Sequence, residues 1–554
     1  MPTINFKGKN AVWNHHLSLP YQILEKDKKL SVKGKNEDEN LIIEADNLIA
    51  LKSLLPKYQG KIKCIYIDPP YNTGNENWVY NDRVNSPLLR AWIGEIVGKD
   101  DLTKHDKWLC MMVPRLKLLR ELLTDDGMIF ISIDEIERNY LKCILDEIFG
   151  EDNFVSEFSW VRKKKGAFLS KKIRKMIEYV LCYQKKENDV EFFGEKAYLD
   201  KWQPIVKRTN IEKELKIIPN TVSTTLGDGI YPKGKFSNGE TSVEFLNDFI
   251  IEDGIIVNEL NIKGRFVWTQ EFFDKEIKDG TKISLSKKFG FNVLRADQNE
   301  KFKTPSNLIN KENGVGTNED ASAELASIFD TEIGKIFSYP KPVSLIKYLI
   351  SFHTKDNDII LDSFAGSGTT AHAVLELNKE DNGNRKFILV QLPEKIEEDK
   401  PAYKAGFKYV HEITRERVKR VIERDKLEVG FSYMRLGPKI DADSILNGDL
   451  PTYNEFAKYV YYLATGKTMD NEESINEKNY FVGKINSETV YLIYEKDTEK
   501  LKKLAITLDW AEEVNKKDNG KKIVYAPACF LDEEYLERFN ISFVSIPYNL
   551  FEKK

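Results

Sequence analysis

The 554-residue chain is 41% hydrophobic and 31% charged with a formal net charge of −4, which supports roughly two to four folded cores and excludes a disordered polyelectrolyte. No run approaches the roughly 20 apolar residues of a membrane helix, and Met1-Pro2-Thr3-Ile4-Asn5 lacks a basic-then-apolar leader, so a cytoplasmic, membrane-free protein is expected. The five cysteines, Cys64, Cys110, Cys143, Cys182 and Cys529, show no CxxC or Cys/His ligand spacing, which predicts reduced thiols and no metal.

In chain order, residues 1–36 read as an N-terminal arm. Leu41 to Glu44 is strand-like, and Asp46 can cap a helix over Asn47 to Leu55. The apolar run Cys64-Ile65-Tyr66-Ile67 leads directly into Asp68-Pro69-Pro70-Tyr71. Open α/β sheets hold their ligands at the carboxyl ends of strands. There Asp68 offers carboxylate oxygens, and Pro69 keeps its carbonyl while the paired prolines restrict where it points. Two acceptors thus converge on one NH2 group, and Tyr71 adds an aromatic face, worth roughly 1–3 kcal/mol per stacked base. Acceptors that polarise both N–H bonds of an exocyclic amine push its nitrogen toward a tetrahedral, nucleophilic form. Methyl transfer from a sulfonium donor then needs no metal. A plain strand terminator explains Pro-Pro but not the whole tetrapeptide.

Further on, residues 107–123 carry a helical pattern, Met128 to Ile133 a buried strand, Glu135 to Phe149 a helix and Glu178 to Tyr183 a strand. After Trp160, the cations Arg162, Lys163, Lys164, Lys165, Lys171, Lys172, Arg174 and Lys175 run without an intervening acid. Phosphate neutralisation supplies much of a protein's affinity for DNA, so in a net-negative chain this segregated run is the expected DNA contact. From about 187 the chain breaks into short segments around Gly227, Gly229, Pro232, Gly234 and Asn238-Gly239, a turn-rich insertion. The strand Asp358 to Leu361 then runs into Asp362-Ser363-Phe364-Ala365-Gly366-Ser367-Gly368 and a helix from Thr369 to Leu377, the strand–turn–helix used by adenosine cofactors. No Lys follows Gly368, which excludes a phosphate loop, and Thr465-Gly466-Lys467-Thr468 has Tyr461 in place of the first P-loop glycine. Lys386 to Leu392 reads as the next strand and residues 401–428 as one long helix. The chain beyond Gly430, with strands at Thr489 to Tyr494 and Lys522 to Ala526, carries no catalytic constellation.

With the amine clamp ahead of the cofactor loop, the chain resembles β-class DNA amino-methyltransferases. The flanking text is similar to the modification subunits of Type III restriction-modification systems. The resemblance is carried by Asn40 to Leu48, Tyr66 to Tyr80 with its NTGNENWVY, His105-Asp106-Lys107-Trp108, Arg115 to Leu119, Asp126 to Ile133 and Pro340-Lys341-Pro342. It covers most of residues 1–180 and 330–435. It implies a Rossmann-like, doubly wound α/β methyltransferase sheet, circularly permuted so that DPPY precedes FxGxG. The halves would lie at 37–186 and 331–430, around a target-recognition domain at 187–330, with a small α/β assembly domain at 431–554.

The same resemblance implies S-adenosylmethionine as cofactor, held by Asp362, Phe364, Ala365, Gly366 and Gly368. Asp46 would sit near the donor's adenine and Lys341 on its carboxylate. Gln391 would meet the ribose where relatives carry an acid, with Glu394 as the other candidate. Asp68, Pro69, Pro70 and Tyr71 would act on the N6 amine of an adenine flipped out of double-stranded DNA. A homodimer and a helicase-nuclease restriction partner are also implied. Cytosine-N4 enzymes usually carry Ser at the Asp68 position, so that reading is the first alternative; a DNA-binding specificity subunit with little activity of its own is the second. Glutamine or RNA methylation fits less well, because those enzymes more often carry Asn there and lack the long insertion.

Overall fold

The structure, a computed structural model, describes residues 3–73, 102–164, 172–194, 202–237, 241–295, 303–440, 450–467, 469, 472–485 and 488–546. It divides into one unit of Met1–Phe192 with Ser306–Lys554 and another of Phe193–Pro305.

Ten strands form the main sheet of the first unit: β1 Tyr21–Lys26, β2 Leu41–Glu44, β3 Ile62–Ile67, β4 Leu123–Ile133, β5 Phe154–Val161, β6 Ile177–Gln184, β7 Leu308–Ile309, β8 Ile359–Asp362, β9 Lys386–Gln391 and β10 Ser432–Ile440. Their spatial order is β1-β10-β2-β9-β8-β3-β4-β6-β5-β7. From β10 to β4 every neighbouring pair is parallel, while β1 and β6 run against their neighbours.

Parallel strands are buried on both faces, which is why these segments read as near-continuous apolar runs. Alternation along β3 and β4 sends Ile65, Ile67, Ile129 and Ile131 into one core and Cys64, Tyr66, Met128 and Phe130 into the other. Helices α1 Asn47–Tyr58, α2 Lys104–Leu122 and α3 Arg138–Phe149 fill the first core. Helices α4 Asn318–Phe329, α5 Val343–Ser351, α6 Thr369–Asp381 and α7 Val410–Arg424 fill the second. The two sequence segments on either side of the insertion therefore cover opposite faces of one sheet. Their key strands are neighbours, since β8 pairs with β3 through Ile360 with Cys64 and Leu361 with Ile65. Asp68 and Asp362 thereby emerge from adjacent carboxyl ends.

Several expected boundaries differ in the structure. Residues 1–36 include β1, which pairs with β10 at the sheet edge, so that segment is more than an arm. Residues 432–440 belong to the same sheet, although the break was expected at 431. The compact inserted unit ends at Pro305; beyond it, β7 pairs with β5 and α4 packs in the second core, because Ile309, Leu325, Ile328 and Phe329 need burial there. The long helix expected over 401–428 is two helices, Pro401–Lys404 and α7, divided where Gly406 takes φ 100°. Helix α2 begins at Lys104 because Thr103 and Asp106 form a capping box.

The second unit has a seven-stranded and a four-stranded sheet and the helix Gln270–Lys278, around Phe245, Phe249, Phe266 and Phe291. The turn at Asn238-Gly239 lies outside the described residues. Beyond β10, the strands Phe481–Ile485, Glu488–Leu492, Lys521–Ala526 and Ile541–Ser545 form a separate sheet. Its core includes Tyr21 and Ile23 of β1, and Tyr21 stacks on Tyr459 with ring centroids 4.7 Å apart. Gly466 takes φ 64° at the end of the helix Tyr453–Thr465, so the Thr465-Gly466-Lys467 run is a helix stop. Among the described residues no helix is long and apolar enough to cross a membrane.

Candidate active site

The loop after β3 is anchored by the first turns of α2. Trp108 Nε1 donates to the Pro70 carbonyl at 2.7 Å, and Asn72, at φ 59°, donates through Nδ2 to the Lys104 carbonyl at 3.1 Å and to Glu137 Oε1 at 2.7 Å. His105 Nδ1 lies 2.8 Å from that same Glu137 oxygen, and burial pushes the Glu137 carboxyl up. His105 and Trp108 thus brace the DPPY loop. With the Pro70 carbonyl engaged, no partner among the described residues takes the Pro69 carbonyl.

Three charged side chains and a phenol gather around Asp68. Tyr71 donates its hydroxyl to Asp68 Oδ1 at 2.7 Å, and Lys341 donates through Nζ to Oδ2 at 2.7 Å. Lys341 also sits 3.6 Å from Glu178 Oε2 and 5.0 Å from the centroid of the Tyr71 ring. Arg162 Nη1 donates to the other Glu178 oxygen at 2.5 Å. Burial alone would lower the Lys341 pKa, but the Asp68 and Glu178 carboxylates outweigh it and hold the ammonium above its ordinary value. Burial, together with the same two carboxylates, pushes the Tyr71 phenol well up, so it stays a donor.

Next to this cluster the loop after β8 turns through Gly366 at φ 52° and Gly368 at φ 81°. Gly366 N–H donates to Gln391 Oε1 at 2.7 Å, and its carbonyl accepts from Thr414 Oγ1 at 2.6 Å. Arg417, fully buried, donates to Ser367 Oγ at 2.9 Å and Thr369 Oγ1 at 2.7 Å; burial lowers its pKa to about 10. Asp362 accepts from the Phe364 N–H at 2.9 Å and the Thr370 hydroxyl at 2.5 Å. Burial raises its pKa from the ordinary 3.8 to about 7, against those two hydrogen bonds and with some help from Asp68.

A carboxyl group raised in this way favours the folded state fully below about pH 3.8, and the contribution is lost as pH rises through about 7. Asp362→Asn does not titrate. Its melting temperature is therefore expected to gain on wild type between about pH 4.5 and about pH 7.5, and a pH-independent difference in thermal scans would refute the assignment.

Both loops line one cavity of about 270 Å³, shared by Asp68, Tyr71, Glu178, Lys341, Asp362 and Gly366. The donor set fits an adenosine-type sulfonium cofactor. Phe364, Ala365 and Gly366 form its cradle, with Gly368 behind them against Thr414, and Asn318 on the same wall holds a buried Oδ1 with no partner among the described residues. Glu324, His372 and Glu376 have metal-ligand spacing, but Arg417 Nη2 lies 3.3 Å and Arg424 Nη2 3.4 Å from the two His372 ring nitrogens. Guanidinium cations already stand there.

Other expected site residues already have partners within the protein. Lys341 pairs with Asp68 and Glu178. Gln391 is 2% exposed and spends its amide on Gly366 and the Leu392 carbonyl, so it braces the cofactor loop from behind. Asp46 is the cap of α1, accepting from Leu48 N–H at 2.8 Å, and is held by Arg115 Nη2 at 3.2 Å. Arg115 is buried and also donates to Asn47 Oδ1, while Asn47 reaches the Ser363 carbonyl at 2.8 Å, tying α1 to the cofactor loop. Arg115→Ala is expected to lower stability by about 3 kcal/mol or more, because buried acceptors lose their donor; denaturant unfolding reads the loss.

In the basic run, alternation along β5 puts Arg162 on the face of Phe158 and Trp160, which turns it inward to Glu178. Lys163 lines the cavity, Lys164 pairs with Asp320 at 2.5 Å, and Lys175 pairs with Glu135. Lys172 and Arg174 are exposed, and Lys165 and Lys171 lie outside the described residues. Glu178 escaped the sequence reading. Its signal was the alternation Glu178, Val180, Cys182, which places a carboxylate in line with core residues.

Comparison with known proteins agrees with this geometry. The DNA methylase family matches residues 62–405. The Type III restriction-modification enzyme EcoPI Mod subunit of Escherichia phage P1 is 32% identical over 464 residues, 76% of this chain and 68% of its own. The StyLTI Mod subunit of Salmonella typhimurium is 31% identical over 457 residues, covering 78% and 66%. The Type II methyltransferase M.KpnI of Klebsiella pneumoniae is 32% identical over 373 residues, covering 67% and 84%.

Proposed function

The chain belongs to the DNA methylase family, and from this premise we propose that it transfers a methyl group from S-adenosylmethionine to the N6 amine of adenine in double-stranded DNA, as the modification subunit of a Type III restriction-modification system. The observation that carries the reading is the single cavity shared by the Asp68 clamp and the Asp362 to Gly368 loop.

When bound, S-adenosylmethionine supplies an electrophilic methyl group on a sulfonium. Asp362, Phe364, Ala365, Gly366 and Gly368 would hold it, with Lys341 on the cavity wall and Asp46 toward the donor's adenine. Asp68 and the Pro69 carbonyl accept the two N–H bonds of the amine, and the Tyr71 ring stacks on the base. Polarising both N–H bonds raises electron density on the nitrogen, and holding it on the line of attack replaces a bimolecular encounter. Asp68 is an acceptor for the proton lost after transfer. Adenine is favoured over cytosine by the carboxylate at position 68, and the base must leave the duplex to reach a cavity at the sheet's carboxyl edge.

The fold supports a circularly permuted, Rossmann-like methyltransferase, with the 193–305 unit as target-recognition domain and the C-terminal sheet as assembly domain. Lys163, Lys172 and Arg174 remain as phosphate contacts. A homodimer working with a restriction subunit completes the proposal.

The test is to incubate purified protein with donor and unmethylated DNA, identify modified nucleosides by mass spectrometry and map them by sequencing. N6-methyladenine in one short motif is the expected product. N4-methylcytosine would overturn the base assignment, and absence of any methylated nucleoside despite donor binding would point to a specificity subunit.

A further inference from the structure

The clamp is already occupied. Asp68 Oδ1 accepts from Tyr71 and Oδ2 from Lys341, each at 2.7 Å. A carboxylate has further lone pairs, so an incoming amine is not excluded by count. An ammonium at 2.7 Å nevertheless draws off the negative charge that must polarise the amine. Lys341 and Tyr71 therefore need somewhere else to go, and in a buried site a donor without an acceptor is costly.

Both have the same alternative. Glu178 Oε2 lies 3.4 Å from the Tyr71 hydroxyl and 3.6 Å from Lys341 Nζ. The Glu178 side chain is 4% exposed, and Arg162 fixes its other oxygen at 2.5 Å. Isolated burial of a carboxylate costs several kcal/mol. Here its charge is balanced within a group of two acids and two bases, Asp68, Glu178, Lys341 and Arg162. The Trp160 and Glu178 positions are paired across β5 and β6, so this carboxylate is held by sheet register and cannot drift as one on a loop could.

We propose that Glu178 is a positioning residue for methyl transfer: it takes over the Tyr71 hydroxyl and the Lys341 ammonium when the target amine engages Asp68. The clamp then changes occupant without stranding a buried donor, and Asp68 recovers its charge at the moment it is needed. Arg162 keeps Glu178 aimed while its partners move. The inference rests on the methyltransferase reading above.

The experiment measures single-turnover methyl transfer to unmethylated genomic DNA, with donor affinity by calorimetry and melting temperature in parallel, for wild type, Glu178→Gln and Glu178→Asp. Glu178→Gln is expected to slow transfer by about ten- to a hundredfold, the equivalent of a buried donor losing its charged acceptor, while donor affinity changes less than about threefold. Glu178→Asp keeps the charge with a shorter reach and should recover part of the rate. Transfer at the wild-type rate in Glu178→Gln would overturn the proposal, as would a rate loss matched by an equal loss of donor affinity. If Glu178→Gln does not fold, a wild-type rate in Glu178→Asp assigns Glu178 to the scaffold alone and also overturns it. Should wild type itself transfer no methyl group, the functional reading fails first, and that result is distinct from equal rates in wild type and variant.

Discussion

Asp68→Ala is expected to reduce methyl transfer by at least about a thousandfold, in the range seen when a single polarising or proton-accepting group is removed from a reacting centre. Donor affinity should stay within a few-fold of wild type, because the Asp362 to Gly368 loop is braced by Gln391, Thr414 and Arg417 and makes no hydrogen bond to Asp68. The fold should survive. The Asp68 side chain is 28% exposed, and Lys341, which loses it, retains Glu178 3.6 Å away. Turnover under saturating donor and calorimetry on the same preparation separate the two effects. Substantial residual methylation would remove Asp68 from the clamp; loss of donor binding together with turnover would mean that its main role is to hold Lys341.

Gly368→Ala should act on the other half of the site. Gly368 takes φ 81°, a conformation that costs a residue with a Cβ roughly 1–2 kcal/mol. A Cβ there would also approach the Thr414 carbonyl oxygen to 2.9 Å and Thr414 Cγ2 to 3.4 Å. That carbonyl belongs to the buried inner face of α7, so the loop must move instead of the helix. Displacing the loop separates Gly366 from Gln391 and spoils the cradle. Donor affinity is expected to fall by about tenfold or more, since strain of that size is already worth a decade in an equilibrium constant, and the melting temperature should fall with it. Unchanged donor affinity would show that the cofactor does not lie against this turn.

The two loops that form the site were legible in the sequence because each is local. An apolar run of β-rich residues followed by Asp-Pro-Pro-Tyr, or by Gly-x-Gly and a helical stretch, specifies a strand, a turn and what the turn presents, all within about a dozen residues. Helices α2, α3 and α6 and strands β3, β4, β6, β8 and β9 were visible for the same reason. The pairing of β1 with β10 was not, because nothing near Tyr21 or Ser432 encodes a partner so distant in sequence.

Side-chain partners were the other thing only the tertiary structure could decide. Arg162 reads as one more cation in a basic run, yet strand alternation turns it to Glu178, while Lys164 two residues on pairs with Asp320. Lys341 reads as a ligand for a donor carboxylate, yet the junction of the Phe337 to Pro342 segment with the β3 loop puts Asp68 against it. Gln391 stands at the end of the strand expected to meet a ribose, yet β9 neighbours β8, so its amide reaches the Gly366 backbone first. The sequence by itself determined which chemical groups sit at the ends of which strands. The register and order of those strands decided which groups meet, because burial makes every charge find its nearest complement, and nearness is a property of the folded sheet.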